Sequence, residues 1–288
     1  MERRPLPAAL GTHFSVAQAM GAGIHPKRLD AGDLTAPFRG MRVTQEPTTY
    51  ADLAEAALVV MPGGALFSHT TAARLMGVPL PIALESSAGL HVTVPRKAAR
   101  WRHEGFVEHH ADRAGTTWSG LPLVAVADTW VDLASILSAS DLVVAGDFLL
   151  RAQLCSSDDL HAAVAGRRGA RGLRRTSDAL PLLRHSSASP METRARLAFA
   201  RWKLPEPELN VDILDARGGW IGRVDFLWRA AWVIGEYYGG VHAASWTSDL
   251  KRAAQLEDAG YRVVVMTSRD LGPGAADLRA RLQRLLRN

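Results

Sequence analysis

The chain carries a single cysteine, Cys155, among 288 residues. One thiol excludes a disulfide framework and any thiolate zinc cluster. No uninterrupted apolar run is long enough to span a bilayer. MERRPLPAAL does not read as a secretory leader either: it is basic, but Pro5 and Pro7 interrupt it and no apolar stretch follows. These absences predict a cytoplasmic protein with no membrane partner. PGGA at residues 62–65 lacks the following lysine and serine of a nucleotide-binding loop and reads as a plain turn. No internal repeat or low-complexity tract is present.

What is there is an apolar fraction of 47% and a charged fraction of 22%, the balance of a globular protein with room for two or three cores. The net charge is +5 and the pI near 9.8. The arginines are clustered: Arg167, Arg168, Arg171, Arg174 and Arg175 fall within GRRGARGLRR. Such a cluster is the electrostatic footprint of a phosphate-backbone partner, and its plain alternative is a solvated helix face or linker.

Residues 14–43 carry the first pattern. Ser15 caps a short helix ending near Gly21 or Gly23, and His25-Pro26 opens a second running to about Asp33. A strand pair with Arg39 and Gly40 at its tip follows. Two short helices and a wing describe a winged helix-turn-helix, with Lys27 and Arg28 on the first turn of the recognition helix. Residues 51–150 form a mixed α+β module, with strands at HVTVP and GFVEHH and a helix opened by Asp128 or Thr129. Residues 151–187 read as a helical, Arg-rich linker.

The last stretch, residues 188–288, orders its elements as helix, three strands, helix, strand, helix. Ser189-Pro190 starts the first helix and places Glu192 in its first turn. Apolar runs at 224–228 and 231–235 read as a tight antiparallel pair, with Asp225 near the start of one and Glu236 just past the end of the other. Two carboxylates that converge at one end of a sheet can hold a divalent cation, or divide into an acid and a base. Tyr237, Tyr238, His242 and Trp246 surround them in sequence. Lys251 and Arg252, on the following helix, are placed to touch phosphate. The histidines His69, His109 and His110 show no metal-ligand spacing and read as core or surface residues.

The winged helix, SHTTAARLMGVPLP, HVTVP and VADTWVDLA resemble the AbiEi-type antitoxin and regulator proteins of actinobacteria over about residues 1–150. That resemblance implies a DNA-reading half and by itself implies no particular chemistry; the expected partner is double-stranded DNA. METRAR, LPEPELNV, VDFLW, EYYGGVH and SDLKRAAQLEDAGYRVV resemble the Vsr-like endonuclease domains of the PD-(D/E)xK class over about residues 188–288. This second resemblance implies an α/β nuclease core, within an α+β chain, whose acids are Glu192, Asp225 and Glu236. The lysine position of the motif is Tyr238, and relatives lacking lysine place an aspartate there. The run EYYGG departs from both patterns.

Phosphodiester attack builds negative charge that needs a divalent ion or cationic side chains beside it. Without the lysine or aspartate, Mg²⁺ bound through Glu192, Asp225 and Glu236 is no longer the obvious use of the site. Cleavage of a base from its sugar passes through a positive, oxocarbenium-like state that carboxylates stabilise without metal. Aromatic rings suit a flipped base. The sequence therefore favours, narrowly, a cofactor-free DNA glycosylase in phage defence or repair. Asp225 or Glu236 would act as base or stabiliser, Tyr237, Tyr238 and Trp246 would hold the base, and His242 would carry a proton. A Vsr-like metal-dependent endonuclease and a non-catalytic AbiEi-like regulator are the alternatives.

Overall fold

The computed structural model describes residues 5–86, 89–167, 169, 171–239, 246–272 and 274–287, with residues 246–250 described by backbone alone. The chain forms two compact units, Met1–Ser135 and Ile136–Asn288, of mixed α+β structure as expected.

In the first unit β1 (His13–Ser15) leads into α1 (Val16–Gly21) and α2 (Pro26–Leu29), and β2 (Met41–Val43) returns antiparallel to β1. Ser15 Oγ accepts from Gln18 N while Gln18 Oε1 accepts from Ser15 N, a capping box that satisfies two otherwise open donors. Phe14, Ala19, Ile24 and Leu29 bury against one another. Two details depart from the expected winged helix. The second helix stops at Leu29 rather than Asp33, because Arg42 Nε takes the Leu29 carbonyl at 2.6 Å and Arg28 folds back onto Asp33. The wing is reduced to one bridge, Thr35 to Val43, closing the loop that holds Arg39 and Gly40.

There follow α3 (Tyr50–Ala57), β3 (Leu66–Phe67), α4 (His69–Leu75), α5 (Ile82–Glu85), β4 (Leu90–Val94), β5 (Phe106–His110), β6 (Gly115–Trp118), β7 (Leu121–Val124) and α6 (Val126–Leu133). The strands lie in the order β5-β4-β3-β7-β6, with β4–β5 and β3–β7 parallel. Helix α6 starts at Val126, before the expected Asp128, and buries Trp130, Val131 and Leu133.

The second unit opens with α7 (Ala139–Arg151), α8 (Ser157–Ala165) and α9 (Leu173–Ala179), then α10 (Pro190–Arg201). A meander of β8 (Glu208–Leu214), β9 (Trp220–Trp228) and β10 (Val233–Tyr237) comes next, followed by α11 (Trp246–Asp258), β11 (Arg262–Met266) and α12 (Ala275–Leu285). Strand β11 pairs parallel to β10, a connection that requires a crossover, which α11 supplies. On one sheet face Phe226, Trp228, Val264 and Met266 pack with Ala195 and Phe199 of α10 and Leu278 and Leu282 of α12. On the other, Val224, Leu227 and Ile234 pack with Leu256 of α11. The expected boundaries at 50, 150 and 187 differ from this division. Helices α7 to α9, read from sequence partly as module and partly as linker, group with the C-terminal sheet because α10 packs on α7 through buried Asp147 and Arg196.

Candidate functional site

Ser189 Oγ accepts from Glu192 N at the start of α10, and Pro190 occupies the first helical position, where its missing N–H costs nothing. This fixes Glu192 in the first turn, buried. Its Oε2 accepts from Ala188 N and from Asn210 Nδ2, each at 2.8 Å. Asn210 lies in β8 with a φ of 51°, a left-handed backbone uncommon in a strand. The β8–β9 ladder pairs Leu209 with Phe226 and Val211 with Val224, stepping over Asn210 and Asp225. The alternation of faces breaks there, since Val224 and Leu227 both join the core beneath α11. Such irregularities re-aim a side chain.

The re-aimed side chain is Asp225. Its Oδ2 accepts from Tyr237 N at 2.7 Å. Burial pushes its carboxyl from the ordinary 3.8 up to about 6; the Tyr237 N–H opposes this, the Glu192 charge adds to it, and Arg252 works against it. Glu236, buried on β10, faces Arg252, whose Nη2 stands 3.0 Å from Glu236 Oε2. Arg252 Nη1 also donates to the Arg223 carbonyl at 2.9 Å. Burial pulls the Arg252 guanidinium down, but Glu236 and a hydrogen bond with the Tyr238 side chain outweigh it and leave its pKa raised. The structure thus gathers Glu192, Asp225, Glu236, Tyr238 and Arg252 at one place.

Other expected site residues are placed differently. Arg252 turns inward onto Glu236 rather than outward toward phosphate, whereas Lys251 is exposed. The Tyr237 ring packs against the core beneath α10 and α12, so its contribution to the site is its backbone N–H. His242 and Arg168 lie outside the described residues, and Trp246 is described only as the first residue of α11. Lys27 and Arg39 are exposed, but Arg28 is held in a two-point pair with Asp33. Arg167 is buried, contrary to its expected place on a linker. Arg171, Arg174 and Arg175 are exposed, and Arg175 Nη1 donates to the Leu137 carbonyl.

A second cluster was not read from sequence. His69, at the start of α4, His91 on β4 and His109 on β5 bring their ring nitrogens within 4.8 Å of one another. His91 Nδ1 is 3.0 Å from His109 Nε2, and the His69 ring stacks on His109 with centroids 3.7 Å apart. Burial, with the neighbouring imidazoles, drops His69 to about 3 and His91 to about 4, and burial also lowers His109. No local spacing announces this group; β4–β5 pairing and the β3–α4 turn assemble it.

Two proteins of Mycobacterium tuberculosis are similar to this chain: uncharacterized protein MT2308 of strain CDC 1551 / Oshkosh and uncharacterized protein Rv2248 of strain ATCC 25618 / H37Rv. Each is 31% identical over 258 residues, which cover 88% of this chain and 93% of the relative. No protein-family model and no solved structure matches the chain. An alignment of that length exceeds either structural unit, so both are shared, and the chain belongs to the same family as these two mycobacterial proteins.

Proposed function

We propose that this chain is a cytoplasmic DNA-processing enzyme that excises particular modified, damaged or mismatched bases, a DNA glycosylase serving phage defence or repair. The observation that carries the reading is the pairing of Glu236 with Arg252 beside Asp225, whose carboxyl burial pushes up to about 6. The chain's own guanidinium supplies the cation of the site, which leaves Asp225 for acid–base work. Ionised above about pH 6, Asp225 stabilises the oxocarbenium-like state or activates water. Arg252 and Tyr238 are donors suited to the departing base, where negative charge develops. Exposed Lys27, Arg39, Arg171, Arg174 and Arg175 supply charge for the phosphate backbone.

One observation favours a second reading. Glu192, Asp225 and Glu236 converge from α10, β9 and β10, the acid set of a Vsr-like endonuclease, and Arg252 offers a cation where Tyr238 replaces the motif lysine. Mg²⁺ would then be the cofactor. Incubating the protein with unmodified, mismatched and phage-derived modified DNA, in EDTA and in Mg²⁺, with and without alkali, separates the readings. Breaks in EDTA that appear only after alkali support excision. Breaks that need Mg²⁺ and no alkali make it an endonuclease. Absence of breaks on every DNA favours an AbiEi-like regulator.

A further inference from the structure

We propose that His69, His91 and His109 form a binding site for one divalent transition-metal ion of the zinc type in the N-terminal unit, separate from the carboxylate site. Three imidazoles delivered by three different elements present nitrogens within 4.8 Å of one another. Zinc ligated tetrahedrally at about 2.0–2.1 Å sets its nitrogens about 3.3 Å apart, close to the separation this cluster already has between His91 and His109. That pair is 3.0 Å apart, joined here by an imidazole–imidazole hydrogen bond that a bound ion would replace.

The backbone explains why the rings meet. Strands β4 and β5 run parallel with Thr93 opposite His109, so His91 and His109 lie one pleat apart on the same face. His69 is brought over them by a φ of 48°, a left-handed conformation whose strain must be offset by the surroundings. In that conformation the His69 ring is held by a hydrogen bond between its Nδ1 and Ser68 Oγ at 3.0 Å and by stacking on His109.

The surroundings fit an ion. Asp132, held by Arg113 at 3.2 Å, acts electrostatically on both His69 and His109, so a carboxylate charge stands near the proposed cation. An all-imidazole donor set selects zinc, cobalt, nickel or copper over Mg²⁺ and Ca²⁺. Three protein ligands leave a fourth position for an oxygen donor such as water. A cavity of about 150 Å³ is lined by Thr93, Ala111 and Arg113 and by none of the three histidines, Thr93 and Ala111 standing two residues along the chain from His91 and His109. Thr93 is 3% exposed, and its Oγ1 has no hydrogen-bond partner among the described residues.

The test uses the full chain, stripped with chelator, loaded with Zn²⁺, desalted and assayed for metal. One ion per chain is expected, with a raised melting temperature. His91→Ala and His109→Ala should each abolish stoichiometric retention, and Asp132→Asn should weaken affinity about 10–100-fold. Asp225→Ala should retain the ion. X-ray absorption of the zinc-loaded wild type, which needs no variant, should show a nitrogen and oxygen shell with imidazole scattering. Absence of stoichiometric zinc, retention by both histidine variants, or a shell without imidazole would overturn the assignment.

Discussion

Asp147 Oδ2 lies 2.9 Å from Arg196 Nη2, with the two side chains 2% and 5% exposed. Thr193 Oγ1 donates to the same oxygen at 2.9 Å and Arg184 N to the other at 2.7 Å, so the buried carboxylate is fully engaged. The pair locks α7 onto α10, the helix whose first turn carries Glu192. Asp147→Ala leaves Arg196 charged in a dry place and is expected to destabilise the C-terminal unit by about 3–5 kcal/mol. Chemical denaturation measures it.

Asp225 governs a pH dependence of stability. Its folded pKa, about 6, exceeds the ordinary 3.8, so between these values the folded state holds a proton that the unfolded chain has released. Its contribution to stability is full below about pH 4 and is lost as pH rises through about 6. Asp225→Asn should flatten that slope and, at pH 7, recover on the order of 2 kcal/mol. Unfolding free energies at pH 4, 5, 6 and 7 for both proteins provide the check.

The same residue sets the activity profile. Base excision should rise with pH through about 6 as Asp225 ionises. Asp225→Ala should abolish it while leaving DNA affinity unchanged. A variant that still excises at the wild-type rate removes Asp225 from the site.

Arg252 can be disturbed without touching it. A methyl group added to Gly222 would stand 2.9 Å from Arg252 Cδ. Gly222→Ala should therefore shift the guanidinium off Glu236 and lower kcat about 10–100-fold, the worth of a charged hydrogen bond. Arg252→Ala, which removes the internal cation, should in addition give the site a measurable Mg²⁺ affinity. Calorimetric titration with Mg²⁺ tests that gain.

DNA affinity should fall with salt, and Lys27→Ala or Arg39→Ala should each reduce the slope of log K against log salt by about 0.9. Arg28→Ala should leave the slope unchanged, because Asp33 already neutralises that charge. Equal effects of all three would remove this distinction.

Much of the C-terminal sheet and its flanking helices was legible from local signals: Ser189-Pro190 marks one start, and Asp215 to Gly219 turns one hairpin, whereas α9 lay within the stretch read as an Arg-rich linker. Glu192 follows a helix start that the sequence marks, and Asp225 and Glu236 sit on consecutive strands, so their convergence could be anticipated, although Asp225 falls in the middle of β9 and Glu236 inside β10 rather than past its end. Arg252 could not be assigned to Glu236, since a basic residue near a helix start looks alike whether it faces solvent or core. The histidines were illegible for a different reason: His69, His91 and His109 are neighbours only through strand pairing, and no periodicity in one segment reports a partner in another. The membership of α7 was hidden likewise, because Asp147 looks like any acid on a helix until Arg196 is seen across from it.

The division after Ser135 changes what counts as the smallest portable piece of this protein. A fragment cut at residue 188, where the nuclease-like pattern begins, would inherit Arg196 without its counter-charge and bare the face of α10 that α7 covers. A fragment cut at residue 136 would keep both. Transplanting or shuffling the carboxylate site therefore means carrying three helices that contribute none of its acids.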